Sequence, residues 1–271
     1  MLPPGEWEWP SGICLKRWTT GGEGGTGIPN SERAFPQSKS DYPSTQGRPE
    51  ALAGDGNAAA LQHIRSRYRL LAGVFAAIER PQERDRLNLT RMATSGDVLE
   101  VGVGTGRGLP FYDQARSVTA IDLSPHMLEK ASQQLPRCRR PVKLLEMDVQ
   151  ALTFPDDSFD AVVCSYVFCT VPDPSLGLAQ IRRVLKPSGA AILLEHVRGD
   201  GWLGPVTDAV APVFRWAAGC NPNRHTVASI KAAGFRLISV QTLRPSVVKL
   251  ILASPNKPFT APSASGPFSV V

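Results

Sequence analysis

The sequence predicts a doubly wound α/β fold, a largely parallel sheet covered by helices on both faces. Three observations carry that prediction. From residue 97 onward, short apolar runs alternate with segments of helical character, and the runs are apolar through their middles, as strands buried on both faces are. One run, 98–101, ends in the glycines Gly102, Gly104, Gly106 and Gly108, where a strand must feed a tight turn. Acidic residues then recur just after the next two runs, at Asp122 and Asp148.

Residues 1–57 are rich in Gly, Pro and Ser and lack either regular period, so they read as a disordered or loosely attached leader. In the next segment Leu61, Ile64, Tyr68, Leu71, Phe75 and Ile78 fall on one face of a helix, with Arg65, Arg67 and Arg69 elsewhere on it. This basic helix, 61–80, either packs on the domain, touches an anionic membrane surface or lids the active site. A second helix is expected over 82–93. Strand one is placed at 97–102, followed by a helix over 107–115. Strand two is Ser117–Asp122. Ser124 then caps a helix with Pro125 at its first position, running to about Leu135. Strand three is Val142–Met147 and strand four Phe159–Ser165. A helix over 174–185 ends at Lys186-Pro187-Ser188-Gly189, and strand five is Ala190–Glu195. The last two runs, 235–243 and 247–253, are joined by Arg244-Pro245-Ser246, too short for a parallel crossover, so they pair antiparallel. The domain therefore spans 58–253, and 254–271 is a flexible tail.

Composition narrows the function. The chain has 271 residues, 42% hydrophobic and 20% charged, as in a soluble globular protein. A net charge of +6 is mild. No apolar run reaches the ~18 residues of a membrane span, and the start of the chain does not read as a secretory signal. Cys14, Cys138, Cys164, Cys169 and Cys220 are scattered, with neither C-x-x-C nor a zinc-type His pair, so no metal is expected and a reducing, intracellular compartment is. Cys164 and Cys169 read as core packing.

Open α/β sheets bind ligands at the carboxyl ends of their strands. Strand one delivers Glu100 and the glycine loop. Strand two delivers Asp122, a carboxylate that can accept both hydrogen bonds of a ribose diol. Strand three delivers Asp148 and Val149, strand four Ser165 and Tyr166, strand five Glu195 and His196. The glycine spacing misses the dinucleotide fingerprint G-x-G-x-x-G, whose third glycine would fall at Arg107, Leu109 or Phe111. That misfit disfavours a nicotinamide-dependent oxidoreductase.

Glu-Val-Gly-Val-Gly-Thr-Gly (100–106), Asp-Leu-Ser-Pro-His-Met-Leu (122–128), Asp148-Val149, Phe-Pro-Asp-Asp-Ser-Phe-Asp-Ala-Val (154–162) and Leu-Lys-Pro-Ser-Gly-Ala (185–190) together resemble the ordered motifs of class I S-adenosylmethionine-dependent methyltransferases. The resemblance covers roughly 60–253. It implies a Rossmann-like, seven-stranded sheet with the last strand antiparallel, and S-adenosylmethionine as cofactor. It places Gly102, Val103, Gly104 and Gly106 against the methionine part, Asp122 on the ribose, and Asp148 with Val149 on the adenine. Leu123 and Met127 flank the adenine, Glu100 organises the loop, and Ser165 and Tyr166 complete the set.

The implied reaction is methyl transfer to a small, fairly apolar acceptor such as a thiol or lipid amine. The acceptor segment is 196–226, whose apolar stretch contains Val210, Val213, Phe214 and Trp216. Its pattern is similar to thiol methyltransferases and bacterial phosphatidylethanolamine N-methyltransferases, with quinone C-methyltransferases a broader cousin. The alternatives are quinone-precursor C-methylation and a non-catalytic binding module. Nucleic acid is not an expected partner, because Cys-Ser-Tyr-Val follows strand four in place of an amine-methylating tetrad. Candidate bases are His196, Asp208 and His225. Each has a structural reading too: a backbone hydrogen bond, a surface ion pair and a helix start, respectively.

Overall fold

The structure is a computed structural model that describes residues 89, 90, 92, 96–244 and 247–257. The leader 1–57, the basic helix 61–80 and most of the tail lie outside the described residues. Leu89, Thr90 and Met92 are helical, within the second expected helix.

Seven strands form one sheet: β1 (Asp97–Val101), β2 (Ser117–Asp122), β3 (Val142–Glu146), β4 (Phe159–Ser165), β5 (Leu185–His196), β6 (Arg236–Arg244) and β7 (Val248–Ser254). Their order is β3-β2-β1-β4-β5-β7-β6. The first five pair parallel, and β7 lies antiparallel between β5 and β6. The short link before β7 dictated its direction, as expected from the sequence.

Successive side chains of β1 go to opposite faces, as the strand period requires. Val98 joins Val118, Ala161 and Ile192 beneath Leu109, Tyr112 and Ala131. Leu99 and Val101 join Ile121, Val162 and Leu193 beneath helical Leu178, Ile181, Val184 and Ile230. Both faces are therefore core, which is why the strand sequences are continuously apolar.

The helices are α1 (Pro125–Ser132), α2 (Pro174–Val184), α3 (Leu203–Ala218) and α4 (Thr226–Ala232). Ser124 caps α1 by accepting from the Met127 amide, and Asp173 caps α2 by accepting from Ser175 and Leu176. Gly219, at φ 69°, ends α3, and its amide donates to the Arg215 carbonyl. Among the described residues no helix is long and apolar enough to cross a membrane.

Three expectations need correction. The helix over 107–115 is only a 3-10 turn, Leu109–Phe111. Pro110 supplies no amide and fits only a first helical turn, so the turn stops at Tyr112. The helix expected to run to Leu135 ends at Ser132, and a separate 3-10 turn covers Leu135–Arg137 around Pro136. Strand β5 begins at Leu185, five residues before the expected start. Phe159 pairs with Leu185 and Ala161 with Ala190, so Lys186–Gly189 form an irregularity inside the ladder. A lysine-to-aspartate hydrogen bond of 2.8 Å, Lys186 Nζ to Asp160 Oδ1, pins this bulge.

Candidate active site

Strand order reverses at β1, whose neighbours are β2 and β4, and the crevice there opens at the strand carboxyl ends. The glycine loop follows β1 directly. Gly102, Gly104 and Gly106 have φ of 66°, 56° and 73°, backbone that side chains resist. Gly106 also lies hard against α1: a Cβ there would sit 2.7 Å from Ala131 Cα.

Four of the loop's amides are used internally. Gly102 and Val103 donate to the Ile121 carbonyl at 2.8 and 3.0 Å, and Gly106 donates to the Val103 carbonyl at 3.0 Å. Gly104 donates to Asp122 Oδ2 at 2.9 Å. A phosphate cradle needs amides aimed outward; these four are not. The surrounding side chains are carboxylates instead, which suits a cationic or zwitterionic nucleoside carrying a diol.

Asp122 ends β2. Its Oδ1 accepts from the Ser124 amide at 2.9 Å, so one carboxylate clamps the loop and the start of α1. Asp148 caps the 3-10 turn Val149–Ala151, accepting from the Gln150 amide at 2.9 Å. Gln150 in turn accepts from the Asp173 amide through Oε1, tying this end of β3 to α2. Glu100 is buried beneath the loop, with Oε1 3.3 Å from where a Gly108 Cβ would lie. Burial and the Glu100 carboxylate push the neighbouring Tyr112 phenol well above its usual range.

Four sequence-assigned side chains are less available. Val103 is buried among Leu89, Leu109 and Tyr112, so only its backbone borders the loop. Met127 and Val149 are also buried, and Leu123 is half-buried.

Beyond β4 the chain turns sharply at Tyr166, a non-glycine residue at φ 58°. Glu195 holds this turn. Its carboxylate accepts from the Val167 amide at 3.0 Å and from the Phe168 amide at 3.2 and 3.1 Å. Glu195 is fully buried, and that desolvation pushes its pKa up to about 8 against the opposing pull of the two amides. Ser165 Oγ is buried with no hydrogen-bond partner among the described residues, an acceptor and donor at the sheet's ligand end.

His196 ends β5, its ring 4.5 Å from that of Tyr166. It meets Cys169 and Cys220, whose sulfurs and a His196 nitrogen lie within 4.8 Å of one another. Hydrogen bonding from Cys169, then from His196, lowers the Cys220 thiol against its burial. Cys169 is thus in the core, as read from sequence, but it also belongs to a polar cluster.

Asp208 and His225 do not join His196. Asp208 lies on α3 and pairs with Arg198 (Nη2 to Oδ2, 2.8 Å), with Asn223 Nδ2 at 3.2 Å. The Arg198 hydrogen bond holds this carboxyl below its usual range, which makes it a weaker base. His225 is an exposed residue at the start of α4, and its carbonyl accepts from the Ser229 amide. Both therefore show the structural roles weighed beside the catalytic ones. Sequence reasoning placed Glu195 at a strand end but gave it no role, and it missed Cys220 as a partner of His196. No local spacing links residues this far apart.

Known proteins converge on the same picture. Residues 99–193 match the family described as a methyltransferase domain. A phosphatidylethanolamine N-methyltransferase of Cereibacter sphaeroides is 38% identical over 136 residues, 49% of this chain and 66% of the relative. A thiol S-methyltransferase of Homo sapiens is 31% identical over 156 residues, 55% of this chain and 63% of the relative. A 2-methyl-6-phytyl-1,4-hydroquinone methyltransferase of Oryza sativa subsp. japonica is 38% identical over 109 residues, 39% of this chain and 32% of the relative. The chain thus spans under two thirds of the length of each. In fold, it resembles the crystal structure of an S-adenosylmethionine-dependent methyltransferase of Thermotoga maritima, with a TM-score of 0.54 and 20% identity over 69% of this chain and 99% of that one. A loop with four of its amides turned inward, bordered by acids, fits the sulfonium and diol of S-adenosylmethionine. Residues 99–193 carry a methyltransferase domain, of the class I S-adenosylmethionine-dependent type, with S-adenosylmethionine as its cofactor.

Proposed function

We propose that this chain transfers a methyl group from S-adenosylmethionine to an apolar, lipid-like acceptor, and that its catalytic domain spans 58–253. One observation carries the acceptor class. Immediately after β5, the outward face of Trp202 and α3 is apolar, with Trp202 77%, Val213 64%, Phe214 50% and Trp216 78% exposed. Its inward stripe is the small set Gly204, Thr207 and Ala211. A water-facing helix normally shows the reverse distribution. Two of the relatives carry a lipid or a phytyl chain in their names. Contact with an anionic membrane surface through the basic helix 61–80 belongs to the same reading.

S-adenosylmethionine supplies a methyl group already bonded to a sulfonium, so the protein needs chiefly to position the acceptor and exclude water. Gly102, Gly104 and Gly106 shape the wall for the methionine part, with Glu100 holding the loop from behind. Asp122 binds the ribose diol. Asp148 and the Val149 backbone meet the adenine, with Leu123 beside it. Ser165, Tyr166 and His196 line the acceptor side.

The test uses labelled S-adenosylmethionine with phosphatidylethanolamine, a phytyl hydroquinone and a long-chain alkyl thiol, each beside its tail-less counterpart. Burying two extra methylenes is worth ~1.6 kcal/mol, about tenfold. We expect at least one tailed acceptor to exceed its counterpart about tenfold in kcat/KM, and Phe214→Ser with Trp216→Ser to remove that advantage. Equal turnover of tailed and tail-less compounds refutes the lipid reading. Cofactor binding without transfer to any of them points to the non-catalytic alternative.

A further inference from the structure

Cys169, His196 and Cys220 come from three separate segments: the turn after β4, the end of β5 and the loop after α3. Their ligand atoms nevertheless converge within 4.8 Å of one another. A four-coordinate zinc ion bonds sulfur at ~2.3 Å and nitrogen at ~2.0 Å, which sets ligand-to-ligand spacings of roughly 3.5–4 Å. Small side-chain rotations suffice to reach that geometry. The supporting backbone is already joined, because the Asn221 amide donates to the Cys169 carbonyl at 2.7 Å.

Two further features point to a ligand. One ring nitrogen of His196 lies beside the two sulfurs, and its Nδ1 is buried with no hydrogen-bond partner among the described residues. Cys169 is buried and Cys220 half-buried, so any ion between them is shielded from bulk water on one side only. The nearby Arg224 is turned to backbone, with Nη2 donating to the Val171 carbonyl at 2.7 Å.

We infer that Cys169, His196 and Cys220 form a binding site for a thiophilic divalent cation of the zinc class, with a fourth position open to water or an exogenous ligand. Two thiolates and one neutral imidazole balance the double charge. Three protein ligands with one exchangeable position is the arrangement of zinc sites that meet substrate, whereas structural zinc sites are closed by four. The ion ties the loop after α3 to the turn after β4, at the same end of the sheet as the glycine loop. The sequence expectation of no metal rested on local spacing, and these ligands have none. The inference does not depend on the acceptor proposed above.

The test is titration of the full chain, fully reduced and anaerobic, with Co²⁺. The expected result is a sulfur-to-cobalt charge-transfer band that saturates at one equivalent and is displaced by Zn²⁺. Cys220→Ser and His196→Gln should each weaken binding about 100-fold or more, while Cys138→Ser retains it. Wild-type protein gives an independent readout that needs no variant to fold. Zn²⁺ should slow alkylation of Cys220 about tenfold or more, with Cys138 as the unchanged internal reference. Absence of the band at one equivalent, a band that survives in both variants, or unprotected Cys220 overturns the site. So does a Cys169–Cys220 disulfide whose reduction restores two thiols without restoring metal binding.

Discussion

Replacing Asp122 with alanine separates the cofactor reading from a merely structural one. The Asp122 carboxylate receives the Gly104 and Ser124 amides, both at 2.9 Å. Hydrogen bonds to a charged group are worth ~1.5–3 kcal/mol each, and water recovers part of that when the site is half-buried. The structural loss is therefore about 1–3 kcal/mol of stability. The ribose diol is assigned to this same carboxylate, so Asp122→Ala should also weaken S-adenosylmethionine by at least ~10-fold, or ~1.4 kcal/mol. Asp122→Asn keeps one acceptor oxygen and should fall between the two. Ser124→Ala is the control. It removes the cap that receives the Met127 amide at 3.4 Å, and should lower stability by ~1 kcal/mol while leaving cofactor affinity in place. Calorimetric titration gives the affinities, and denaturant unfolding gives the stabilities. If Asp122→Ala loses stability but binds within about twofold of wild type, Asp122 is a loop clamp alone and the ribose assignment is wrong.

Gly106→Ala should destabilise by about 2–4 kcal/mol, combining ~1 kcal/mol for the left-handed backbone with ~1–3 for overpacking on Ala131. An unchanged melting temperature would mean that the loop moves freely away from α1. Glu195 binds its proton more tightly when folded, with a pKa of about 8. Its favourable contribution is thus complete below the ordinary carboxylate range and is lost as pH rises through about 8. The ceiling is about 5 kcal/mol, at 1.36 per pH unit. Wild-type melting temperature should fall more steeply from pH 5 to 9 than that of Glu195→Gln; parallel profiles would show that the carboxyl does not titrate in that window.

Much of the fold was readable because its determinants are local. Strands buried on both faces must be apolar along their length, and Ser124 with Pro125 announces α1 two residues after Asp122. The same locality exposed the strand-end acids, since each directly follows an apolar run. What failed was whatever depends on pairing across the chain. Lys-Pro-Ser-Gly reads as a turn, yet the ladder between β4 and β5 steps over it. Val103 sits between two glycines and reads as part of the ligand wall, but the left-handed residues on either side turn its side chain inward. The meeting of Cys169, His196 and Cys220 is decided by where β4, β5 and α3 end in space, so no window of sequence contains it.

The position of β7 bears on how the chain is made. Ala191–His196 of β5 pair with Val248–Ala253, the last strand of the sheet to leave the ribosome. Until then, one whole edge of β5 and the inner edge of β6 present unpaired backbone, a template for pairing with other chains. Nascent or truncated chains that stop short of residue 248 should therefore be strongly prone to self-association. In a living cell the slot between β5 and β6 is then a point of dependence on holding chaperones, and supplying Val248–Ser254 as a separate peptide should compete with that clumping.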